Sequence, residues 1–83
     1  MELTALKNIG KEMQHKLNTI GICSAEELKA LGSKEAYFRV KIHYPEICLV
    51  HLYVLHGAIE DMDYNMLSAS TKADLKTFSA SCK

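Results

Sequence analysis

Between Pro45 and Asp61 the chain reads EICLVHLYVLHGAIE, its longest apolar stretch, and what that stretch can become limits everything else. Turned at about 100° per residue, Ile47, Cys48, Leu52, Val54, Leu55, Ala58 and Ile59 cover one broad side of a helix. Leu49, Tyr53, His56 and Glu60 gather on the narrower opposite side. A helix apolar in nearly every direction has two uses, as the centre of a domain or as a face for a partner. His51 and His56 interrupt it and it is too short to cross a bilayer, so a core helix is expected and no membrane contact. Pro45 bounds it, because proline disfavours helical geometry in the residue before it and fits the first turn of a helix after it.

Such a rod must be wrapped, and the remaining sequence supplies short helices to do it. One proline and four glycines stand in 83 residues, with no run of β-branched side chains. The expected fold is therefore all-α, a compact bundle of about five to six short helices in one domain spanning residues 1–83. Leu3 to Lys7 reads as a short helix. A turn at Asn8-Ile9-Gly10 leads to a second helix from Lys11 to about Thr19, with Met13, Leu17 and Ile20 as its buried stripe and Gly21 as its stop. Ser24-Ala25-Glu26-Glu27 has the form of a capping box, in which the Ser24 hydroxyl takes the Glu27 amide and the Glu27 carboxylate returns to Ser24. The helix it opens buries Leu28 and Leu31 and closes at Gly32. Ser33 can cap the next helix, Lys34 to about Ile42, whose inward side would hold Tyr37, Phe38, Val40 and Ile42. After the central helix and a polar connection from Asp61 to Leu67, Ser68 or Ser70 can cap a last helix that buries Ala73, Leu75, Phe78 and Ala80. Its serine-rich end, Ser79 to Lys83, is expected to fray.

The Asn8-Ile9-Gly10 corner has the form of a helix-hairpin-helix turn. An apolar residue, Leu6, precedes it, and Gln14 and Leu17 follow at the positions where that motif places a small and an apolar residue. Asn8 stands in place of the first glycine, which asparagine's tolerance of the left-handed region allows. Backbone amides at such a turn and at the following helix start face a phosphate from the positive end of the helix dipole. The candidate phosphate contacts are Lys7, Asn8, Ile9, Gly10, Lys11 and Lys16. Three lysines on three phosphates would give weak, sequence-independent DNA binding with a log-log salt slope near about −3.

Charge and cysteine content narrow the function further. Ten Lys and Arg balance ten Asp and Glu, so no net field draws the whole chain to nucleic acid. Residues 1–41 carry seven bases against five acids, and residues 42–83 three against five, which puts the mildly positive half around the hairpin. Cys23, Cys48 and Cys82 are odd in number and widely spaced, which suits neither a disulfide framework nor a four-ligand zinc site, and fits a reducing cytoplasm. Cys48 and His51 share a helix face, but two ligands do not make a metal site. In the apolar helix they read as a small buried hydrophobe and a buried histidine bonded to a backbone carbonyl or a tyrosine hydroxyl. Glu60, Asp61 and Asp63 lack the ligand alternation of a calcium loop. No Gly-rich phosphate loop, nucleophile elbow or general acid-base pair is visible, so no enzyme activity and no cofactor are expected.

Taken together, NIGKEMQHKLNTIGICSAEELKALGSKEAYFRV and ICLVHLYVLHGAIED resemble the C-terminal domain of the TfoX (Sxy) family of competence regulators, from about Leu6 to Leu75. The stretches that carry the resemblance are Asn8-Ile9-Gly10, Gly21-Ile22 with Glu26-Glu27-Leu28, Leu31-Gly32 with Glu35-Ala36-Tyr37, and Leu55-His56-Gly57-Ala58-Ile59. His56 stands where that family tends to carry an acid. The resemblance implies an all-helical fold with a helix-hairpin-helix and a link to the regulation of DNA-uptake genes. It transfers no catalytic residue. Full-length regulators of the family carry a separate N-terminal domain, whereas Met1 here leads directly into the helical part.

Two functions are expected on these grounds. One is a regulatory module that touches the DNA backbone through the hairpin. The other is a protein-protein or homodimerisation module that uses Leu49 and Tyr53 on the narrower side of the central helix, since four modest helices leave some of its surface open.

Overall fold

A computed structural model describes residues 1–82. The element order is a 3-10 turn at Leu3–Ala5, then α1 Lys11–Thr19, α2 Ala25–Leu31, α3 Ser33–His43, α4 Leu49–Ile59, a second 3-10 turn at Tyr64–Met66, and α5 Ala69–Ser81. Among the described residues there is no strand, and the fold is the all-α bundle expected. Helix α4 is its axis: α2, α3, α5 and the Tyr64–Met66 turn all pack against it, and Leu52, Leu55 and Ala58 are fully buried.

Local signals set most of the boundaries. At the end of α1 the Gly21 amide donates to the Asn18 carbonyl (3.0 Å) and the Ile22 amide to the Leu17 carbonyl (2.9 Å), with Gly21 at φ 90°. That is a Schellman closure, and its apolar pair, Leu17 and Ile22, is buried. Ser24 caps α2 by accepting the Glu27 amide at 3.2 Å. The Glu27 carboxylate returns one residue further back than expected, taking the Cys23 amide and the Ser24 hydroxyl. Gly32, at φ 91°, ends α2 and begins α3. Ser68 caps α5 by accepting the Thr71 amide at 3.2 Å.

Several expectations need correction. The first element is a single 3-10 turn, not a helix reaching Lys7. Helix α4 begins three residues later than Glu46, because Cys48 is its extended N-cap and His51 closes a capping box: His51 Nδ1 accepts the Cys48 amide at 3.0 Å. Cys48 is thus an exposed cap and His51 half-buried, neither of them core. Ser33 does not cap α3; Gly32 holds that position, and the buried Ser33 hydroxyl reaches across to His56 Nδ1 at 2.9 Å, tying the start of α3 to α4. On α3 the buried side is Ala36, Tyr37 and Val40, while Phe38 and Ile42 are exposed. In α5 only Leu75 is fully inside, Phe78 is half-buried and Ala73 and Ala80 are exposed. The helix also continues through Ser79–Ser81, where the Tyr37 and Ser79 hydroxyls pair at 3.0 Å, instead of fraying; Lys83, the last residue of that expectation, lies outside the described residues.

Candidate functional site

Three surfaces compete for the role of functional site: the Asn8–Gly10 corner, the Leu49 and Tyr53 side of α4, and the outer side of α3. The first is built on Asn8, which takes the left-handed conformation at φ 72°. Its side chain is engaged internally, Nδ2 donating to the Met62 carbonyl at 3.0 Å and Oδ1 accepting the Tyr64 amide at 3.4 Å. This bracket fastens the corner to the chain leaving α4, and Gly57 makes room for it. A Cβ on Gly57 would stand 2.7 Å from Asn8 Nδ2 and 2.8 Å from the Met62 carbonyl oxygen. Asp61 and Asp63 flank Met62 in sequence, so the bracket draws an acidic segment toward the corner.

The other candidate phosphate contacts divide. Ile9 is buried and belongs to the core. Lys16 is largely covered, donates to Glu12 at 3.0 Å and lies 5.2 Å from the centre of the Tyr44 ring. That bond, with the Lys16 charge, holds the Glu12 carboxyl below its ordinary value, so a carboxylate stands in the first turn of α1. Glu12 and Lys16 also line a cleft of about 220 Å³ with Asn8, Gly10, Met13, His51 and Val54. Lys7 and Lys11 are exposed, and neither forms an ion pair among the described residues. Gly10 is the N-cap of α1 in an extended conformation, and a Cβ there would meet nothing within 4 Å. Internal packing therefore does not require glycine at position 10, and no side chain caps the first-turn amides of α1.

The second surface is partly engaged within the fold. Leu49 and Tyr53 are half-buried and packed on the core, and the Tyr53 hydroxyl donates to the Lys72 carbonyl of α5 at 3.4 Å. Helix α5 thus meets that side at Tyr53.

The third surface was missed. Phe38 is 43% and Ile42 63% exposed, one turn apart on the outer side of α3. With Lys41, Pro45 and Cys82 they line an open groove of about 260 Å³. The signal was present in the sequence: at about 100° per residue Phe38 and Ile42 lie within about 40° of each other and about 160° from Val40. One helix cannot bury both sets against a single core. Lys41 is held in the groove wall, its ammonium donating to the carbonyls of Ile47 (2.8 Å) and Pro45 (3.4 Å) and lying 5.8 Å from the Tyr37 ring centre.

No group of three metal-ligating side chains is assembled among the described residues, and no described helix is long and apolar enough to cross a membrane. The sequence profile described as TfoX C-terminal domain matches residues 1–79. Two solved chains from Listeria monocytogenes are similar over nearly their whole length. One, an uncharacterized protein in a triclinic form, has 37% identity and a TM-score of 0.95 over 98% of this chain and 92% of its own. The other, a protein of unknown function in a tetragonal form, has 36% identity and a TM-score of 0.95 over 99% and 100%. No curated relative matches the sequence.

Proposed function

The chain belongs to the TfoX C-terminal domain family, and from that membership we propose that it is a regulatory module related to competence regulators which acts by protein contact through the outer side of α3. The observation that carries this reading is the exposed pair Phe38 and Ile42. Two large apolar side chains left in water on a helix whose other side is fully packed are what a docking surface requires, and the fold has no internal use for them.

A second reading keeps weak DNA backbone contact through Lys7, Lys11 and the amides that follow Gly10. The open approach at Gly10 favours it. The carboxylate of Glu12, the engagement of Lys16 and the near neutrality of the chain oppose it. Homodimerisation is a variant of the same protein-contact reading.

The discriminating experiment measures transcripts of DNA-uptake genes in the source organism after deletion of the gene and after its replacement by variants. Ile42→Glu, at an exposed position, should leave the fold intact and reproduce the deletion, while Lys7→Glu with Lys11→Glu should behave as wild type. The reverse pattern would establish the hairpin reading and end the α3 reading. Transcripts unchanged by the deletion would remove the link to competence.

A further inference from the structure

Resting on the α3 reading above, we propose that the groove between Phe38, Ile42 and Pro45 takes an apolar side chain that carries a carboxylate beside it, presented by an acidic amphipathic helix of a partner protein. Charge selects the occupant. Lys41 is the one ionisable base lining the groove among the described residues, and it flanks Phe38 on the side away from Ile42. A lysine ammonium has three protons to donate. Two are directed at the Ile47 and Pro45 carbonyls, and among the described residues no carboxylate lies within 4 Å of the group.

The contrast with the other bases near α3 is direct. Lys34 is neutralised by Asp74 at 2.7 Å and Arg39 by Glu35 at 2.9 Å. Even Glu46, the residue after Pro45, forms no ion pair with Lys41. The groove thus offers an apolar floor and one half-buried ammonium that has two carbonyl partners and the Tyr37 ring but, among the described residues, no carboxylate. A carboxylate next to a leucine or phenylalanine satisfies both at once, whereas a basic helix places like charge against Lys41. A second copy of this chain is a poorer match. An α3-to-α3 twofold contact through Phe38 and Ile42 sets Lys41 of one copy against the same face of the other, like charge against like.

The test uses the whole chain and three short fluorescein-labelled synthetic helical peptides. Each carries Leu and Phe one turn apart, flanked by Asp and Glu in the first, by Lys and Arg in the second and by Ser and Gln in the third. Fluorescence anisotropy should give the acidic peptide an affinity about tenfold or more above the other two, as expected for one charge-assisted bond, with the preference fading at high salt. Ile42→Glu should abolish that binding while the far-ultraviolet circular dichroism is unchanged, and Lys41→Arg should keep the preference.

Equal binding of all three peptides, lost with Ile42→Glu, would overturn the partner's chemistry and leave the α3 face standing. A concentration-dependent dimer in sedimentation that Ile42→Glu dissolves, with no peptide bound, would make the occupant a second copy and overturn the proposal. Binding indifferent to Ile42→Glu, or no binding and no dimer, would overturn both the proposal and the α3 reading beneath it.

Discussion

Gly57→Ala tests whether the Asn8–Gly10 corner is an internal bracket, because two physical effects predict opposite signs. Gly57 lies inside α4, and on helix propensity alone alanine there would stabilise by about 1 kcal/mol. The structure says otherwise. The new Cβ would stand 2.7 Å from Asn8 Nδ2, 2.8 Å from the Met62 carbonyl oxygen and 3.2 Å from the Tyr64 Cα, and two of these three neighbours are backbone. Overpacking of this kind costs about 1–3 kcal/mol. Pushing Asn8 aside also breaks its bonds to Met62 and Tyr64, at about 1 kcal/mol each. Set against the propensity gain, the net loss is about 2–4 kcal/mol, or a fall in Tm of roughly 10–30 °C for a chain of this size. Urea denaturation followed by circular dichroism, with a thermal scan alongside, measures it. A Gly57→Ala variant as stable as wild type, or more so, would mean that the corner is not held against α4 as described.

Three further outcomes are expected. Asn8→Gly keeps the left-handed turn and loses only the side-chain bonds, so it should cost about 1–2 kcal/mol, and Asn8→Ala about 1 kcal/mol more for the positive φ; equal losses in urea titrations would rule out a left-handed residue at this position. Ile42→Glu should change stability by less than about 0.5 kcal/mol, whereas Val40→Asp, at a fully buried site two residues earlier, should largely prevent folding; similar behaviour in thermal scans would mean that α3 is rotated from the orientation described. The carboxyls of Glu12 and Glu26 are held below their ordinary value of 4.5, the first by its bond from the Lys16 ammonium and the second by its bond from the N-terminal ammonium. A depressed folded-state pKa gives stability that is present above 4.5 and lost as pH falls through the folded values. Glu12→Gln with Glu26→Gln should therefore flatten the acid limb of the stability profile below that pH and leave its slope near neutrality unchanged.

The parts of the fold that depend on neighbours in sequence were legible. Gly21 and Gly32 stop helices, and Ser24 and Ser68 start them, through bonds that close within three to five residues. What sequence reasoning missed depends on contacts between distant residues or on unusual chemistry at a familiar position. The Ser33 hydroxyl could have served as a cap, but His56 lies 23 residues away and takes it instead. Cys48 and His51 fill the places that Ser or Thr and Glu hold in the common capping box, so the true start of α4 carried no recognised signal. The Tyr37 and Ser79 hydroxyls, 42 residues apart, hold a helix end whose composition alone suggests fraying. As for the candidate site, Asn8 was identified as the residue that tolerates the turn. That its amide would be consumed by Met62 and Tyr64 could not be seen without knowing where the chain goes after α4. The α3 groove was legible in principle, since Phe38 and Ile42 oppose Val40 on the helical wheel. Counting apolar residues without asking how many one side can hold concealed it.

The most direct measurement is an amide-resolved nuclear magnetic resonance titration of the isotope-labelled chain, once with duplex DNA at low salt and once with the acidic amphipathic peptide. The account predicts that the peptide shifts the resonances of Phe38, Lys41, Ile42 and Cys82 and that DNA leaves those of Lys7, Gly10 and Lys11 where they are. Shifts confined to Lys7 through Glu12 on adding DNA, with the α3 resonances silent toward the peptide, would contradict it.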